Sequence, residues 1–298
     1  MVMGSSIALA VVAFGHTNAQ ITSTLTKWAS QTRIPDQAFV VANAPLENQE
    51  EIEKISTVLS PGINLGFTGG ANLAARMAAE AGATHLLLTN LDVEILSDEL
   101  LAKLEDAFVG RPDATFVSPA VALWPNTSLV WYRGAHIARP IWVSRHPGIN
   151  RPFQGPSEGV VRTGYFAGCC ALIDLARFNE LGGFDESLFM YYDEAELSLR
   201  ADVKGWHCYL VDQPLLAHEK DGRTFTPNES YWHARNSALL LNRFEHGPRR
   251  YLGKLGQWLM APVQMTRCDS PAARRSYFAG LRGAPRPGVL PSGAKNPE

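Results

Sequence analysis

The stretch LLLTNLDVE, residues 86–94, decides the predicted fold because an apolar strand within it delivers a carboxylate at its end. Open parallel sheets bind their ligands outside the carboxyl ends of the strands, and Asp92 stands at that position. A carboxylate there can hold a divalent cation such as Mg²⁺, which takes oxygen ligands and bridges to substrate phosphates. The alternative is that Asp92 only caps the following turn, and the segment alone does not separate the two roles.

Apolar runs on both sides of this stretch alternate with helical patterns. Residues 7–15, IALAVVAFG, predict a first buried strand, a helical pattern covers 18–32, and a second strand is predicted over 38–42. An Ala-rich helix over 71–81 then leads to the strand at 85–89. Repeated strand–helix–strand units predict the α/β class, with a mostly parallel sheet flanked by helices.

The composition of the 298 residues predicts a folded protein, because 46% of them are apolar and the formal net charge is only -2. This balance conceals a division. Residues 1–219 carry 14 basic and 24 acidic side chains, whereas residues 220–298 carry 13 basic and 5 acidic ones. A nucleic-acid-binding protein would be basic in its main body, so we expect no nucleic-acid partner. The basic C-terminal part, with an apolar segment over 252–265, is either a peripheral membrane contact or a helix packed on the core.

The N-terminal apolar run and the cysteines bear on cellular location. Residues 7–15 have the length of a signal-peptide core, but no Lys or Arg precedes Lys27, and the run is too short to span a bilayer. The four cysteines form no CxxC pair, which predicts reduced thiols rather than disulfides or a zinc site. We therefore expect a cytoplasmic protein, with peripheral contact at the inner face of the plasma membrane as a further hypothesis.

A second informative stretch is NLGFTGGAN, residues 64–72, in which three glycines precede the Ala-rich helix. Glycine permits close approach of the backbone, and the amides at a helix N-terminus favour anions, so a diphosphate or a sugar could bind here. A plain loop-to-helix turn is equally compatible with these residues. The candidate binding residues are Asn64, Gly66, Gly69, Gly70 and Asn72.

A third stretch, residues 182–206, gathers carboxylates among aromatic and apolar residues. Such surroundings can raise the pKa of a carboxyl group, which suits a general base at neutral pH. Asp193 and Glu194, at the start of a predicted helix, are the candidates, with helix capping as the alternative role. Glu196 and Arg200 are four residues apart, and we expect them to form a modest structural ion pair on the helix surface.

Four motifs in chain order resemble those of family 2 glycosyltransferases of the GT-A fold, particularly the bacterial rhamnosyltransferase-like branch. They are NLGFTGGAN, LLLTNLD, GGFDESLFMYYDEAELSLR and LLAHE. The order and spacing of the four carry the resemblance, since each motif alone is weak. The resemblance implies a single Rossmann-like GT-A catalytic domain over 5–245, and we expect a helical extension over 246–280 and a disordered tail over 281–298.

The resemblance also implies an inverting transfer of a sugar from a nucleoside diphosphate donor to a hydroxyl acceptor. The family's DxD-type metal motif falls on Asn90 and Asp92, so Asp92 would ligate Mg²⁺ or Mn²⁺ at the donor diphosphate. His218, in LLAHE, is a candidate second ligand, either of that metal or of the diphosphate. The family's acidic pair falls on Asp193 and Glu194 in reversed order, and we assign the base to Glu194, with Asp193 as the alternative.

Further contacts with the donor and the acceptor are implied by position. After the first and second strands the family commonly has Tyr-Asn and Asp-Asn pairs, where this sequence has Phe14-Gly15 and Ala42-Asn43. The amide of Asn43 can still donate and accept hydrogen bonds at a pyrimidine edge. The residues assigned to the acceptor side are Tyr165 and Gly168.

The leading hypothesis is therefore a metal-dependent glycosyltransferase that uses a dTDP- or UDP-sugar, with rhamnose as the family-level expectation. Its acceptor would be a hydroxyl group, for example on a lipid-linked glycan, in the synthesis of a bacterial polysaccharide, glycolipid or natural-product glycoside. A homodimer is a further hypothesis. The alternatives are a sugar nucleotidyltransferase, although residues 14–20 lack the expected Gly-rich basic loop, and a non-catalytic module that binds nucleotide sugars.

Overall fold

A computed structural model describes residues 5–155, 159–219 and 224–283. These residues form two compact units. Within the described ranges the first unit comprises 5–136, 146–189 and 193–219, and the second comprises 137–145, 190–192 and 224–283. The predicted catalytic domain over 5–245 is not one of these units, and it stays a prediction. From residue 284 onward, the predicted disordered tail lies outside the described residues.

The elements alternate along the chain as the sequence pattern predicts. The strands are β1 (Ile7–Ala13), β2 (Gln37–Ala42), β3 (Thr57–Leu59), β4 (His85–Thr89), β5 (Val93–Ile95), β6 (Ala114–Leu123), β7 (Val130–Tyr132), β8 (His136–Ala138), β9 (Val143–Arg145), β10 (Val160–Thr163), β11 (Cys170–Asp174) and β12 (His207–His218). The α-helices are α1 (Asn18–Ala29), α2 (Gln49–Glu53), α3 (Gly66–Glu80), α4 (Leu100–Asp106), α5 (Leu175–Glu180), α6 (Asp193–Val203), α7 (Pro227–Phe244), α8 (Gly247–Met265) and α9 (Pro271–Leu281). The segment Glu186–Leu188 is a 3₁₀ turn.

The first unit is built on one sheet with the strand order β10-β12-β6-β11-β4-β1-β2-β3. The pairs β1/β2, β2/β3, β1/β4 and β6/β12 are parallel, while β11 runs antiparallel between β4 and β6. The predicted α/β class with a mostly parallel sheet is confirmed. The antiparallel strand between two parallel groups is a feature that the sequence pattern did not predict.

The core explains why the apolar runs form these strands. β1 is almost wholly buried, as the run 7–15 predicted for a central strand. Helix α3 covers the sheet with alanines, four of which are buried at helical spacing: Ala71, Ala74, Ala75 and Ala78. Because alanine side chains are small, the helix axis can lie close to the strands beneath it.

The strand directions bring the polar strand ends to one edge of the sheet. β1, β2 and β4 are parallel, so their carboxyl ends, at Ala13, Ala42 and Thr89, lie on the same side. β11 is antiparallel to β4 with Cys170 opposite Thr89, so the residues that precede β11 reach this edge too. β12 has the direction of β4, and it ends at His218 on this edge. This is the edge at which open sheets bind ligands.

The second unit is mainly helical and contains α7, α8 and α9. α7 begins with a capping box between Thr226 and Glu229, and proline at its first position suits a helix N-terminus.

Each of the four cysteines of the chain is a buried free thiol. Among the residues that the structure describes, no helix is both long enough and apolar enough to cross a bilayer.

Candidate active site

Asp92 lies in the short turn between β4 and β5, and its side chain is 42% exposed. β5 pairs antiparallel with the end of β12, where Val93 is opposite His218. This pairing brings the Nε2 atom of His218 to 3.5 Å from Oδ1 of Asp92. The structure thus joins two residues that are far apart in the sequence and that the motifs had assigned to one metal.

The imidazole of His218 is held by an aromatic neighbour. Trp131, on β7, stacks on the His218 ring with a centroid distance of 4.3 Å and an interplanar angle of 6°. The stacking restricts rotation of the imidazole and leaves the side chain of His218 largely buried. Sequence reasoning missed Trp131 because it lies in a stretch rich in Pro, Gly and aromatic residues that shows no periodicity.

Backbone hydrogen bonds tie the segment before β11 to the end of β4. The carbonyl oxygen of Cys169 accepts hydrogen bonds from the amide of Asn90, at 3.0 Å, and from the hydroxyl of Thr89, at 3.2 Å. Gly168 and Cys169 are therefore fixed beside the turn that carries Asp92. Asn90 is partly buried. Its hydrogen bond to Cys169 comes from the backbone amide, so this bond assigns no role in donor binding to the Asn90 side chain.

Gly168 also borders the candidate base. A methyl group at this position would lie 2.8 Å from Cδ of Glu194 and closer still to its Oε1 atom. Only glycine leaves room for the carboxylate here, so its presence has a steric reason. The segment formed by Gly168 and Cys169 therefore lies beside Glu194 and is bonded to the turn that carries Asp92.

The pKa values of Glu194 and Cys169 agree with a position of both groups near each other and near Asp92. Burial raises the pKa of the Glu194 carboxyl to about 7. Burial raises the pKa of the Cys169 thiol as well, and the nearby carboxylates of Asp92 and Glu194 add to that effect. Cys169 thus lies within electrostatic range of both carboxylates, and its thiol stays protonated at neutral pH. A carboxyl group with a pKa near 7 is suited to accept a proton from a substrate hydroxyl.

The structure distinguishes the two acids at the start of α6. Asp193 is only 2% exposed, whereas Glu194 is partly exposed at the surface of the site. A base must reach the hydroxyl from which it takes the proton, and Glu194 meets that requirement. This favours the assignment of Glu194 over Asp193, and the choice stays a prediction.

Glu196 and Arg200 form the expected i,i+4 ion pair, but it is not on the helix surface. Glu196 is only 1% exposed, and the Arg200 Nε atom donates to both of its carboxylate oxygens at 2.9 Å. Arg200 also donates to the carbonyl oxygens of Leu181 and Gly183. The predicted structural role is therefore confirmed, but the surface position is not, because Glu196 is buried, and Arg200, whose side chain is 27% exposed, anchors the loop that leads to the base helix.

The glycine-rich stretch has a different role from the predicted anion site. α3 begins at Gly66, not after the glycines, so Gly69 and Gly70 lie inside the helix. The amide of Gly66 donates to the side chain of Asn64 at 2.9 Å, and those of Phe67 and Thr68 donate to the carbonyl oxygen of Phe189. Since protein acceptors take these amides, they do not support the expected binding of a diphosphate at this helix end.

The other residues of this stretch pack against the chain. A methyl group on Gly70 would lie 2.8 Å from Val12, on the first strand, so glycine lets α3 approach β1. The side chain of Asn72 donates to Glu186 at 3.0 Å and exchanges two hydrogen bonds with the backbone of Phe184. Asn72 therefore holds the loop before α6, which is a supporting role rather than a contact with the donor.

Asn43 was predicted to recognise a pyrimidine base; that role stays a prediction, and in the structure the side chain bonds the protein backbone. Its amide nitrogen donates to the carbonyl oxygen of Gly66 at 2.8 Å, and its Oδ1 atom accepts from the amide of Leu65 at 3.2 Å. The side chain is buried, with a backbone partner at each end of its amide group. Asn43 thus fixes the start of α3.

The end of β1 agrees better with a donor site. Phe14 is 58% exposed, and Gly15 has a φ of +71° in the left-handed region that glycine adopts readily. His16 follows them, and burial lowers its pKa while the nearby charge of Asp92 opposes the shift. Sequence reasoning missed His16 as a site residue, although its position directly after the first strand was a usable signal.

Tyr165, on the expected acceptor side, belongs to a network of aromatic side chains. Its hydroxyl group lies 2.9 Å from Nε2 of His146, and its carbonyl oxygen accepts a hydrogen bond from the hydroxyl of Tyr132. The side chain is largely buried, which makes Tyr165 a support for the segment that ends at Gly168. A direct contact with an acceptor stays a prediction.

Asp92 and His218 fit a divalent cation that also binds a substrate phosphate. Within the described ranges, no three His, Cys, Asp or Glu side chains converge as a complete metal site. Mg²⁺ at diphosphate sites is held by one or two carboxylates and by the phosphates themselves, so one carboxylate with one imidazole is a sufficient protein contribution. The 42% exposure of Asp92 leaves its oxygens open to such an ion.

The α/β fold with its mostly parallel central sheet is shared with solved glycosyltransferase structures. The chain is similar over 238 residues, at 28% identity, to the N-acetylglucosaminyl-diphospho-decaprenol L-rhamnosyltransferase of Mycobacterium tuberculosis, and the match covers 73% of each chain. Its sequence is thus rhamnosyltransferase-like. No protein-family model matches the chain.

Two solved structures share the fold at low sequence identity. GalNAc-T7 with UDP, GalNAc and Mn²⁺ superposes with a TM-score of 0.65 at 13% identity, over 94% of this chain and 55% of that one. This chain thus spans about half the length of that protein. The mannosyltransferase PcManGT from Pyrobaculum calidifontis, with GDP-Man and Mn²⁺, superposes with a TM-score of 0.56 at 14% identity, over 96% of this chain and 76% of that one.

The contact between Gly168 and Glu194 predicts a specific loss of activity and a specific rescue. In Gly168→Ala the new methyl group displaces the Glu194 carboxylate, so sugar transfer should fall by about 100-fold while the fold is kept. Adding Glu194→Asp shortens the acid by one methylene and removes the clash, so the double variant should be more active than Gly168→Ala alone. Steady-state transfer rates and circular dichroism would measure both effects. Unchanged activity in Gly168→Ala would contradict the proposed position of the base.

Proposed function

We propose that this protein is an inverting, metal-dependent glycosyltransferase of family 2 that moves a sugar from a nucleoside diphosphate to a hydroxyl acceptor. The observation that carries the proposal is the Glu194 carboxyl, whose pKa is raised to about 7, beside a segment that also borders Asp92. The proposed base and the proposed metal ligand would thus both lie near Gly168 and Cys169. The similarity to a rhamnosyltransferase supports the same chemistry.

Glu194 acts as the base in the proposed reaction. Its carboxylate accepts the proton of the acceptor hydroxyl as the oxygen of that group attacks the anomeric carbon. The new carbon–oxygen bond forms on one face of the sugar, and the bond to the diphosphate breaks on the opposite face, with the electron pair leaving on the diphosphate. Attack opposite to the leaving group inverts the anomeric configuration. Because the thiol of Cys169 is neutral, it adds no negative charge near the carboxylates of Asp92 and Glu194.

Asp92, with His218 as the second side chain, would hold the Mg²⁺ or Mn²⁺ ion. When bound, this ion would offset the negative charge that develops on the leaving diphosphate. Trp131 keeps the His218 ring in a fixed orientation, and the β5–β12 pairing keeps it beside Asp92. Both structural neighbours are described with Mn²⁺ and a nucleotide or nucleotide sugar, which supports a divalent cation in the proposed reaction.

The substrates are proposed from the curated relative. Its name describes transfer of L-rhamnose to an N-acetylglucosaminyl diphosphate on a decaprenol lipid, so a dTDP- or UDP-linked sugar and a lipid-linked glycan are our candidates. Such a reaction belongs to the synthesis of a bacterial polysaccharide, glycolipid or related glycoside. We place the protein in the cytoplasm at the inner face of the plasma membrane. A homodimer stays a hypothesis.

The anomeric configuration of the product tests the proposal directly. The full chain is incubated with dTDP-rhamnose or a UDP-sugar, with Mn²⁺ or Mg²⁺, and with a water-soluble analogue of a lipid-linked N-acetylglucosaminyl diphosphate. We expect a glycoside whose anomeric configuration is opposite to that of the donor, as proton NMR would show. Glu194→Gln is the matched control, because it removes the base and keeps the shape of the side chain. Retention of configuration would contradict an inverting mechanism.

A further inference from the structure

Helix α8 in the second unit packs with its small and polar residues inward. Its buried residues are Gly253, Gln257 and Ala261, which recur every four positions along one face. A methyl group on Gly253 would lie 2.7 Å from Leu241, and the side chain of Gln257 donates to the hydroxyl of Ser237 at 2.9 Å. The fully buried positions of α8 are therefore occupied by glycine, alanine and one amide, while Met265 at its end is partly buried.

Six large apolar side chains of α8 lie on the opposite face, where they are exposed, although the Trp258 ring also stacks on Phe278 at 6.1 Å. They are between 43% and 74% exposed and occur at positions spaced by three, four and seven residues. We call this set the outer face of α8, and its members are Tyr251, Leu252, Leu255, Trp258, Leu259 and Val263. An amphipathic helix of a soluble domain normally turns this stripe toward the core. The 19 residues of α8 extend the stripe along a helix of about 28 Å.

Basic residues surround the outer face. α8 contains no Asp or Glu, and residues 246–283 contain seven Lys or Arg against a single Asp. Lys254 and Arg249 are exposed on the two flanks of the apolar stripe, given 100° of rotation per residue. Arg282, directly after α9, has its guanidinium carbon 5.6 Å from the centre of the Trp258 ring. Arg274 and Arg275 are exposed on α9.

We propose that the outer face of α8 docks on an anionic membrane surface. An apolar stripe with Trp and Leu at its centre and basic residues at its edges matches a helix that lies in the plane of the headgroup region. Each basic residue near an anionic leaflet adds to the attraction. This deepens the proposed function, which places the acceptor on a lipid, by naming the surface that would bring the enzyme to that lipid.

Charge favours a membrane over a second copy of this chain as the occupant. In a symmetric dimer through this face, the basic flanks of the two copies would approach each other and repel. A purely electrostatic ligand such as a nucleic acid would leave the six apolar side chains in water. Anionic lipid satisfies both features, since acyl chains cover the stripe and headgroups pair with the basic residues.

Vesicle co-sedimentation of the full chain without donor tests this surface. We expect binding to vesicles of equimolar phosphatidylcholine and phosphatidylglycerol, and binding weaker by about tenfold or more to phosphatidylcholine alone or at high salt. The double variant Leu255→Gln/Leu259→Gln should lose binding to the mixed vesicles. Val203→Gln is the matched control, because it removes an 87% exposed apolar residue on α6, in the first unit, and should bind like the native chain.

Three outcomes would overturn the proposal. One is absence of vesicle binding by the native chain, and another is equal binding to neutral and anionic vesicles. The third is a dimer, detected by analytical ultracentrifugation, that the double variant abolishes while vesicle binding is unchanged. Transfer to the water-soluble acceptor is measured in parallel, and we expect the double variant to keep it. Loss of vesicle binding with normal transfer separates the membrane surface from the catalytic function.

Discussion

Replacing Glu194 with Gln is expected to lower the rate of sugar transfer by about 100- to 10,000-fold, the usual effect of losing a general base. The amide has the shape of the acid but cannot accept the proton of the acceptor hydroxyl. Donor binding should change little, because Asp92 and His218 are untouched. Single-turnover transfer and calorimetric titration with UDP and Mn²⁺ would separate the two effects.

The same residue predicts the pH dependence of the native enzyme. Only the ionised Glu194 carboxylate can act as a base, and its pKa is raised to about 7 by burial. The transfer rate should therefore rise about tenfold per pH unit below 7 and level off above it. In Glu194→Gln this rise should disappear from the residual rate.

Stability should respond to pH in the opposite direction. A carboxyl group with a higher pKa in the folded chain than in the unfolded chain binds its proton more tightly when folded. Its contribution to the free energy of unfolding is full below its ordinary value of 4.5 and is lost as the pH rises through about 7. Glu194→Gln carries no such loss, so its melting temperature at pH 8 should equal or exceed that of the native chain.

Asp193→Asn is the comparison that decides between the two acids. If Asp193 were the base, its variant would lose transfer and Glu194→Gln would keep it. Because Asp193 is buried at the start of α6, its variant is also expected to lower the melting temperature. A native transfer rate in Glu194→Gln would contradict the assignment of the base.

Replacing Asp92 with Asn is expected to lower transfer by about 100- to 1,000-fold and to remove the effect of Mn²⁺ on donor binding. The amide is a weaker ligand than the carboxylate and brings no negative charge to the cation. The neighbouring imidazole of His218 alone would then have to hold the ion. Calorimetric titration of UDP with and without Mn²⁺ would measure this loss apart from turnover.

Glu94→Gln provides the matched control for Asp92→Asn. It removes a carboxylate two residues away that pairs with Lys27 at 2.5 Å. This variant should keep Mn²⁺-dependent UDP binding and transfer. Equal losses in both variants would mean that general negative charge in this region, rather than Asp92 itself, supports binding.

The strand ends could be predicted well from the sequence because strand formation depends on local patterns. The apolar run 7–15 contains β1, the predicted strand over 85–89 is β4, and Asp92 lies in the turn after β4. α6 begins at Asp193, so the acid pair stands at the helix start as predicted. In each case a run of neighbouring residues contains the information that decides the element.

The sequence did not predict contacts in which a side chain finds its partner far along the chain. Asn43 bonds the backbone at Leu65 and Gly66, which occupies the amide that seemed suited to a base. Phe189 supplies the acceptor for the first amides of α3, more than 100 residues away in sequence. Neither contact can be predicted from the neighbouring sequence, so the sequence was compatible both with these contacts and with a ligand site.

The sequence by itself determined the α/β class, the chemical nature of the site residues and their order along the chain, because these follow from local periodicity and from residue type. Only the tertiary structure decided which of them meet. It brought His218 beside Asp92 through strand pairing, it set Gly168 against Glu194, and it raised the pKa of that acid by burial. The tertiary structure also exposes the apolar stripe of α8. Which face of a helix is buried depends on the surfaces that pack against the helix, and the periodicity of the sequence does not identify those surfaces.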